Sequence, residues 1–195
     1  MELLLDEALD DSVEVTSAGT MGMPSWPISP PMGELLLANY PALDTATSRS
    51  MTKVPSDMTG NVKAPAQDAE NFRAKVEEFR SRPLTEKLVG EADLILTATG
   101  AHRSEVLALN PLALRRTMSL GELARLAQVV DKSAWADKAT DAERLKALVP
   151  LALAARSAAP TDDIEDPYKR PDEIYVRSLG QITGHINSLV SALHQ

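Results

Sequence analysis

Few residues in this chain of 195 have the types and spacing that chemistry requires. It contains no cysteine, which excludes disulfides, thiolate metal sites and a cysteine nucleophile. Its three histidines, His102, His185 and His194, lack metal-ligand spacing and read as surface or helix-end residues. No G-x-G-x-x-G or G-x-x-x-x-G-K-[ST] loop signals a dinucleotide or a nucleotide phosphate, and no G-x-S-x-G elbow marks a serine hydrolase. Serine and threonine are poor nucleophiles without an activating base, and no Ser/His pairing is visible. Arg115-Arg116 reads as a solvated or structural pair. Asp166-Pro167 is a common local turn signal, and Tyr168 and Trp26 read as packing residues.

The elements that must position these residues belong to a soluble, globular chain. It is 44% hydrophobic and 25% charged, enough to bury a core. Twenty Lys and Arg against 28 Asp and Glu give a net charge of −8, which argues against a nucleic-acid groove. No apolar run approaches the length of a membrane helix. The acidic start, Met1-Glu2-Leu3-Leu4-Leu5-Asp6-Glu7, is unlike a signal peptide, so the cytoplasm is the expected compartment.

Leu4, Leu5, Ala8 and Leu9 predict a first helix, and Val13-Glu14-Val15-Thr16-Ser17 alternates as a strand. A Pro-rich loop leads to a short helix over 34–38 that should stop before Pro41. Residues 45–65 read as a long loop. Phe72, Val76 and Phe79 predict a helix with Pro65 near its first turn, a stripe that reads as docking on the domain. Residues 92–98 read as a strand buried on both faces, with Thr99 capping the next helix. Residues 115–120 are a weaker strand, and Ser119 and Glu122 have capping-box spacing. Pro150 should break or kink a helix over 139–157. The last helix carries Leu179, Ile182, Ile186, Leu189, Val190 and Leu193 on one stripe. Strands alternating with helices predict an α/β fold, a small parallel sheet flanked by helices.

Four segments in order carry a resemblance: Val15-Thr16-Ser17-Ala18-Gly19-Thr20; Ala92-Asp93-Leu94-Ile95-Leu96-Thr97 leading into His102-Arg103; Arg115-Arg116-Thr117; and Ile164-Glu165-Asp166-Pro167-Tyr168. Together they resemble the low-molecular-weight protein tyrosine phosphatases, whose fold thiol-dependent arsenate reductases also use. The resemblance covers residues 1 to about 49 and about 80 to 195, with Arg80-Ser81-Arg82-Pro83-Leu84-Thr85 resembling the segment before the family's third strand. It implies one domain over 1–195 carrying an inserted loop plus helix at about 50–79.

The resemblance implies a mechanism in three parts. A cysteine thiolate in a C-x5-R loop attacks phosphorus and forms a cysteinyl-phosphate. Backbone N–H groups, a helix N-terminus and the loop arginine hold the phosphate oxygens. The D-P-Y aspartic acid protonates the leaving phenol and then, as carboxylate, activates water. By that match Asp166 is the catalytic acid, Tyr168 and Trp26 flank the substrate ring, and Ser17 braces the phosphate loop. No cofactor or metal is implied. The implied partner is a phosphotyrosine protein or a small aryl phosphate, with no nucleic acid or membrane, and the chain could form a homo-oligomer.

The departure from the family lies at the start of the chain. Members begin with a strand running into V-C-x-x-N-x-x-R-S-P-x-x-E, and here Glu2 matches the closing glutamate. The first strand, nucleophile and phosphate loop are therefore missing, and the resemblance implies that Met1 is an internal methionine of a longer protein. The chain as given is expected to be inactive. Two readings stay open: a phosphatase lineage that hydrolyses phosphotyrosine monoesters, and a non-catalytic pseudophosphatase or interaction module. A C-x5-R segment encoded upstream would separate them. Arsenate reduction by a thiol relay needs cysteines that the chain lacks. Without the strand between 13–17 and 92–98, another segment or chain must fill the gap, or the two must close on each other.

Overall fold

The computed structural model describes residues 1–21, 24–47, 65–156 and 162–195. Its elements are α1 (Glu2–Ala8), α2 (Pro30–Thr47), α3 (Pro65–Glu78), α4 (Glu86–Glu91), β1 (Ile95–Thr97), α5 (Gly100–Leu109), β2 (Thr117–Ser119), α6 (Leu120–Val129), α7 (Asp141–Ala155) and α8 (Asp172–Leu193). Short 3-10 turns occupy Pro111–Arg116 and Lys132–Ala134. The class is α/β, with a small parallel sheet and mostly helices. β1 and β2 pair in the register Ile95–Thr117, Leu96–Met118 and Thr97–Ser119. α5 supplies the crossover that a parallel pair needs. No helix among the described residues is long and apolar enough to cross a membrane.

The helix stripes read from the sequence meet in one cluster. Leu4 and Leu5 of α1, Leu36 of α2, Leu123, Leu126 and Ala127 of α6, and Ile186, Leu189 and Leu193 of α8 are buried together. Phe72 and Val76 of α3 enter the same cluster, so the helical part of the expected insertion is built into the core. Residues 50–64, its loop part, lie outside the described residues, as does most of the loop expected over 45–65. α3 is also tied to α1: Lys75 Nζ lies 2.8 Å from Asp6 Oδ2 and 2.6 Å from Glu7 Oε1. Burial opposes the charge on Lys75, but hydrogen bonds to those carboxylates and their charges raise its pKa to about 12.

Several strand expectations need correction. Only Ile95–Thr97 of 92–98 forms a strand, and Ile95 and Leu96 are half-buried instead of covered on both faces. Ala92 is instead the C-cap of α4, its N–H donating to Leu88 O at 3.3 Å. Arg115 and Arg116 belong to the 3-10 turn, which leaves Thr117–Ser119 as strand. Residues 13–17 alternate between half-buried and exposed, as their pattern required, yet they form no strand and join no ladder. The segment and β1 do not close on each other. Just beyond it, Gly19 bridges to Pro83 in parallel.

Two prolines fail to interrupt their helices. α2 runs to Thr47, past Pro41, instead of ending before it. Pro150 lies inside an unbroken α7 at an exposed position, where water can satisfy the carbonyl its missing N–H leaves free. The far end expected for this helix, residue 157, lies outside the described residues. α7 also begins on a full capping box, Thr140 with Glu143.

That helix start is locked to the turn after α1. The Asp10 N–H donates to Asp141 Oδ2 at 3.0 Å, and the Asp141 N–H donates to Asp10 Oδ2 at 2.9 Å. Asp141 is 1% exposed and also meets Arg144 Nη1 at 2.9 Å and His194 Nε2 at 3.1 Å. Burial pushes the Asp10 carboxyl up. The Ser12 hydroxyl, the N–H groups of Asp141 and Ser12, and the Arg144 charge outweigh that and hold it below its ordinary value.

Two outcomes test this packing. Phe72→Ala should cost about 3–5 kcal/mol of unfolding free energy, read from urea titration, because Phe72 is fully buried in the main cluster. Asp10→Ala should cost about 1 kcal/mol at neutral pH, as lost caps do. A carboxyl whose folded pKa is depressed contributes stability above its unfolded pKa of about 4, and this is lost as pH falls through the folded value. The stability difference between wild type and Asp10→Ala should therefore shrink on acidification, measured as melting temperature against pH.

Candidate functional site

Asp166 is positioned by the chain just ahead of it. The Ile164 N–H donates to Ala98 O at 2.9 Å, immediately beyond the last residue of β1. Asp163 Oδ1 accepts from the Gly100 N–H, the first residue of α5, at 2.9 Å. Thr99 caps that helix as its sequence suggested, accepting from the His102 N–H at 3.1 Å. On the other side, the Glu165 N–H donates to Gln181 Oε1 at 2.9 Å, and Glu165 Oε2 lies 3.3 Å from Arg177 Nε, both on α8. The segment 163–165 is thus held between the carboxyl end of β1 and α8.

The turn that follows is exposed. Asp166 Oδ1 accepts from the Tyr168 N–H at 3.0 Å, an Asx turn. Tyr168 is 55% exposed, and the Lys169 ammonium sits 5.2 Å from its ring centroid. Lys169 has φ 58°, which turns the chain back toward α8. One carboxylate oxygen of Asp166 and the phenol ring face water beyond a parallel strand end, the place where open α/β sheets bind ligands.

Ser17 and Trp26 sit on a different framework. The Ser17 hydroxyl donates to the Glu2 carboxylate at the first turn of α1. Beside Glu2, burial pushes the Met1 α-ammonium pKa down, and the Glu2 charge only partly offsets it. The Trp26 N–H donates to Ser81 Oγ at 3.0 Å, and its carbonyl accepts from the Ser81 N–H at 2.8 Å. Its ring is half-exposed. Gly19 joins the same stretch, donating to Arg82 O and accepting from the Leu84 N–H, both at 2.9 Å. Asp166 and Tyr168 therefore form one unit and Ser17 and Trp26 are placed by another. Among the described residues no hydrogen bond or ion pair joins the two.

The partners of two charged side chains, Glu122 and Arg116, escaped the sequence reading. Glu122, read as half of a capping box, has its N–H bonded to Ser119 Oγ at 3.1 Å, but its carboxylate is turned to Arg156. Arg156 Nε meets Glu122 Oε1 at 2.7 Å and Nη2 meets Oε2 at 2.8 Å, and Nη2 also donates to Thr117 O at 3.1 Å. This paired, largely buried fork closes the end of α7 onto β2. Arg115 is exposed. Arg116 braces α4 through Val89 O at 3.2 Å, which makes it structural. No local spacing announces either contact, because the partners lie 34 and 27 residues apart.

Behind the Asp166 turn lies an open cleft of about 470 Å³ lined by Asp162, Asp163, Gly180, Gln181, Gly184 and His185. Gly121 of α6 packs directly against two of these residues, Asp162 and His185. A Cβ there would lie 2.7 Å from Asp162 Cβ and 2.9 Å from Asp162 O, so the backbone leading to Asp166 approaches α6 only across a glycine. Gly121→Ala should destabilise the chain by about 1–3 kcal/mol, the cost of overpacking. In an amide NMR spectrum it should shift Ile164, Glu165 and Tyr168 more than residues 13–17. Among the described residues no cluster of His, Asp and Glu is arranged to hold a metal ion. Comparison with family models, with curated proteins and with solved structures finds no match to this chain.

Proposed function

We infer that this chain belongs to the low-molecular-weight protein tyrosine phosphatase lineage and carries the acid side of its pocket. The observation that supports this reading best is the Asp166–Tyr168 turn, which presents an exposed carboxylate and an aromatic ring beyond the carboxyl end of β1. In that lineage the acid donates its proton to the phenol oxygen as the P–O bond breaks, and a thiolate takes the phosphoryl group. Asp166 is the donor and Tyr168 a wall against the substrate ring. Trp26 is the opposite wall and Ser17 a brace. The ligand is an aryl phosphate monoester, free or as phosphotyrosine in a protein, and the compartment is the cytoplasm.

The chain has no cysteine, so it has no thiolate to receive the phosphoryl group. This favours a second reading for the chain as it stands, a pseudophosphatase that binds a phosphorylated partner without turnover. In both readings the 195 residues alone hydrolyse nothing by the thiolate route. With a chromogenic aryl phosphate at neutral pH, release of the phenol should not exceed the enzyme-free rate. Turnover that Asp166→Ala abolishes would contradict this. Phosphotyrosine titrated into labelled protein should shift the Asp166 and Tyr168 amides, and silence there would remove the pocket assignment.

A further inference from the structure

Few of the groups that line the cleft behind the Asp166 turn are fully used in holding the fold. Asp163 gives Oδ1 to the Gly100 N–H and keeps Oδ2. Asp162 meets Arg125, with Oδ2 3.9 Å from Nε and both side chains well exposed, a contact that contributes little. Among the described residues the His185 ring makes no hydrogen bond or ion pair. On α8 the lining is bare. Gly180 and Gly184 lie one turn apart on the same side of the helix, and a Cβ at either would meet nothing within 4 Å. The cleft, about 470 Å³, has ample volume for one long side chain and carries two carboxylates in its wall.

We propose that this cleft takes an arginine side chain of the phosphorylated partner, a few residues from its phosphotyrosine. The inference rests on the reading of Asp166 and Tyr168 given above. Charge carries it. Asp162, Asp163, Glu165 and Asp166 place four carboxylates within five residues, on a chain of net charge −8, and Lys169 and Arg170 offset only part of that. A phosphate dianion approaching this turn is therefore repelled. A partner that brings its own cation removes the repulsion, and the cleft is where Asp162 and Asp163 keep free oxygens. A guanidinium suits them best, because its flat fork offers a carboxylate two parallel N–H donors. Reach agrees. Asp163 and Asp166 are three residues apart, at most about 11 Å along the chain, which a peptide spans in three or four residues of its own.

Three peptides titrated into the labelled full chain test this. One is a phosphotyrosine peptide with arginine three residues to either side. The second has neutral citrulline in place of arginine, and the third is the arginine peptide without phosphate. The arginine phosphopeptide should shift the amides of Asp162, Gly180 and Gly184 together with those of Asp166 and Tyr168. It should bind about fivefold tighter than the citrulline peptide. Asp162→Asn combined with Asp163→Asn should abolish that advantage; the asparagine carbonyl can still accept from the Gly100 N–H, so the fold is kept. An advantage that survives the double variant would come from the net charge at large and overturns the proposal. Equal affinities with Gly180 and Gly184 silent also overturn it, while shifts at Asp166 and Tyr168 would leave the phosphatase reading standing. The converse separates the two again. If the unphosphorylated arginine peptide shifts Gly180 and Gly184 and no phosphopeptide moves Asp166 or Tyr168, the cleft stands as an arginine site and the phosphatase reading falls. Silence at every amide removes both.

Discussion

Two strands of three residues each bury too little surface to hold a domain together, so the fold depends on the seating of α8 against α6 and α2. α8 buries Ile174, Tyr175, Leu179, Ile186, Leu189, Val190, Ala192 and Leu193 along its length. Polar contacts fix its rotation. Trp135, itself fully buried, donates its indole N–H to Ala192 O at 3.2 Å, and Gln128 Nε2 donates to Ser188 O at 2.6 Å. Near its start, Gln181 and Arg177 hold Glu165; at its end, His194 reaches the buried Asp141. The helix that forms the core thus also holds the base of the Asp166 turn.

The buried charges follow the same economy of support. Among the described residues, Asp141 and Glu122 are the carboxylates removed from water; Asp141 has several partners, and Glu122 takes both prongs of the Arg156 guanidinium. Asp141 joins the turn after α1, the start of α7 and the end of α8; Glu122 joins α6 to Arg156 at the end of α7. Truncating one partner would leave a charge buried without compensation, which costs far more than loss of a surface pair. The surface pair Lys87–Glu91, 3.8 Å apart and largely exposed, carries little by comparison.

Local signals survived folding where local physics decides. Thr99 before a helix, Pro65 at a helix start and the 3.6-residue stripes of α6 and α8 are satisfied within a few residues of themselves, and all were legible in the sequence. Failures cluster where a partner far along the chain decides. Alternation over 13–17 correctly gave which side chains turn inward, but pairing needs a neighbouring strand, and alternation says nothing of one. The apolar run 92–98 looked doubly buried, yet only three residues have a ladder partner and solvent reaches β1. Glu122 had two local and distant suitors, and the guanidinium of Arg156 won because a charged, forked donor binds a carboxylate more strongly than a lone N–H.

The same distinction governs how Asp166 should be weighed. Its bond to the Tyr168 N–H is a local turn contact, and a structural need for that turn would keep an aspartate or asparagine here whatever the chemistry. Retention of Asp166 alone therefore does not argue for catalysis. The stronger argument comes from what the turn need not do. A structural Asx turn has no reason to be tied to the carboxyl end of β1 through Ile164 and to the start of α5 through Asp163, or to leave an aromatic ring more than half exposed beside it. Those features put a carboxylate and an exposed ring beyond the end of β1, which the proposed phosphatase reading explains and the packing of α8 does not.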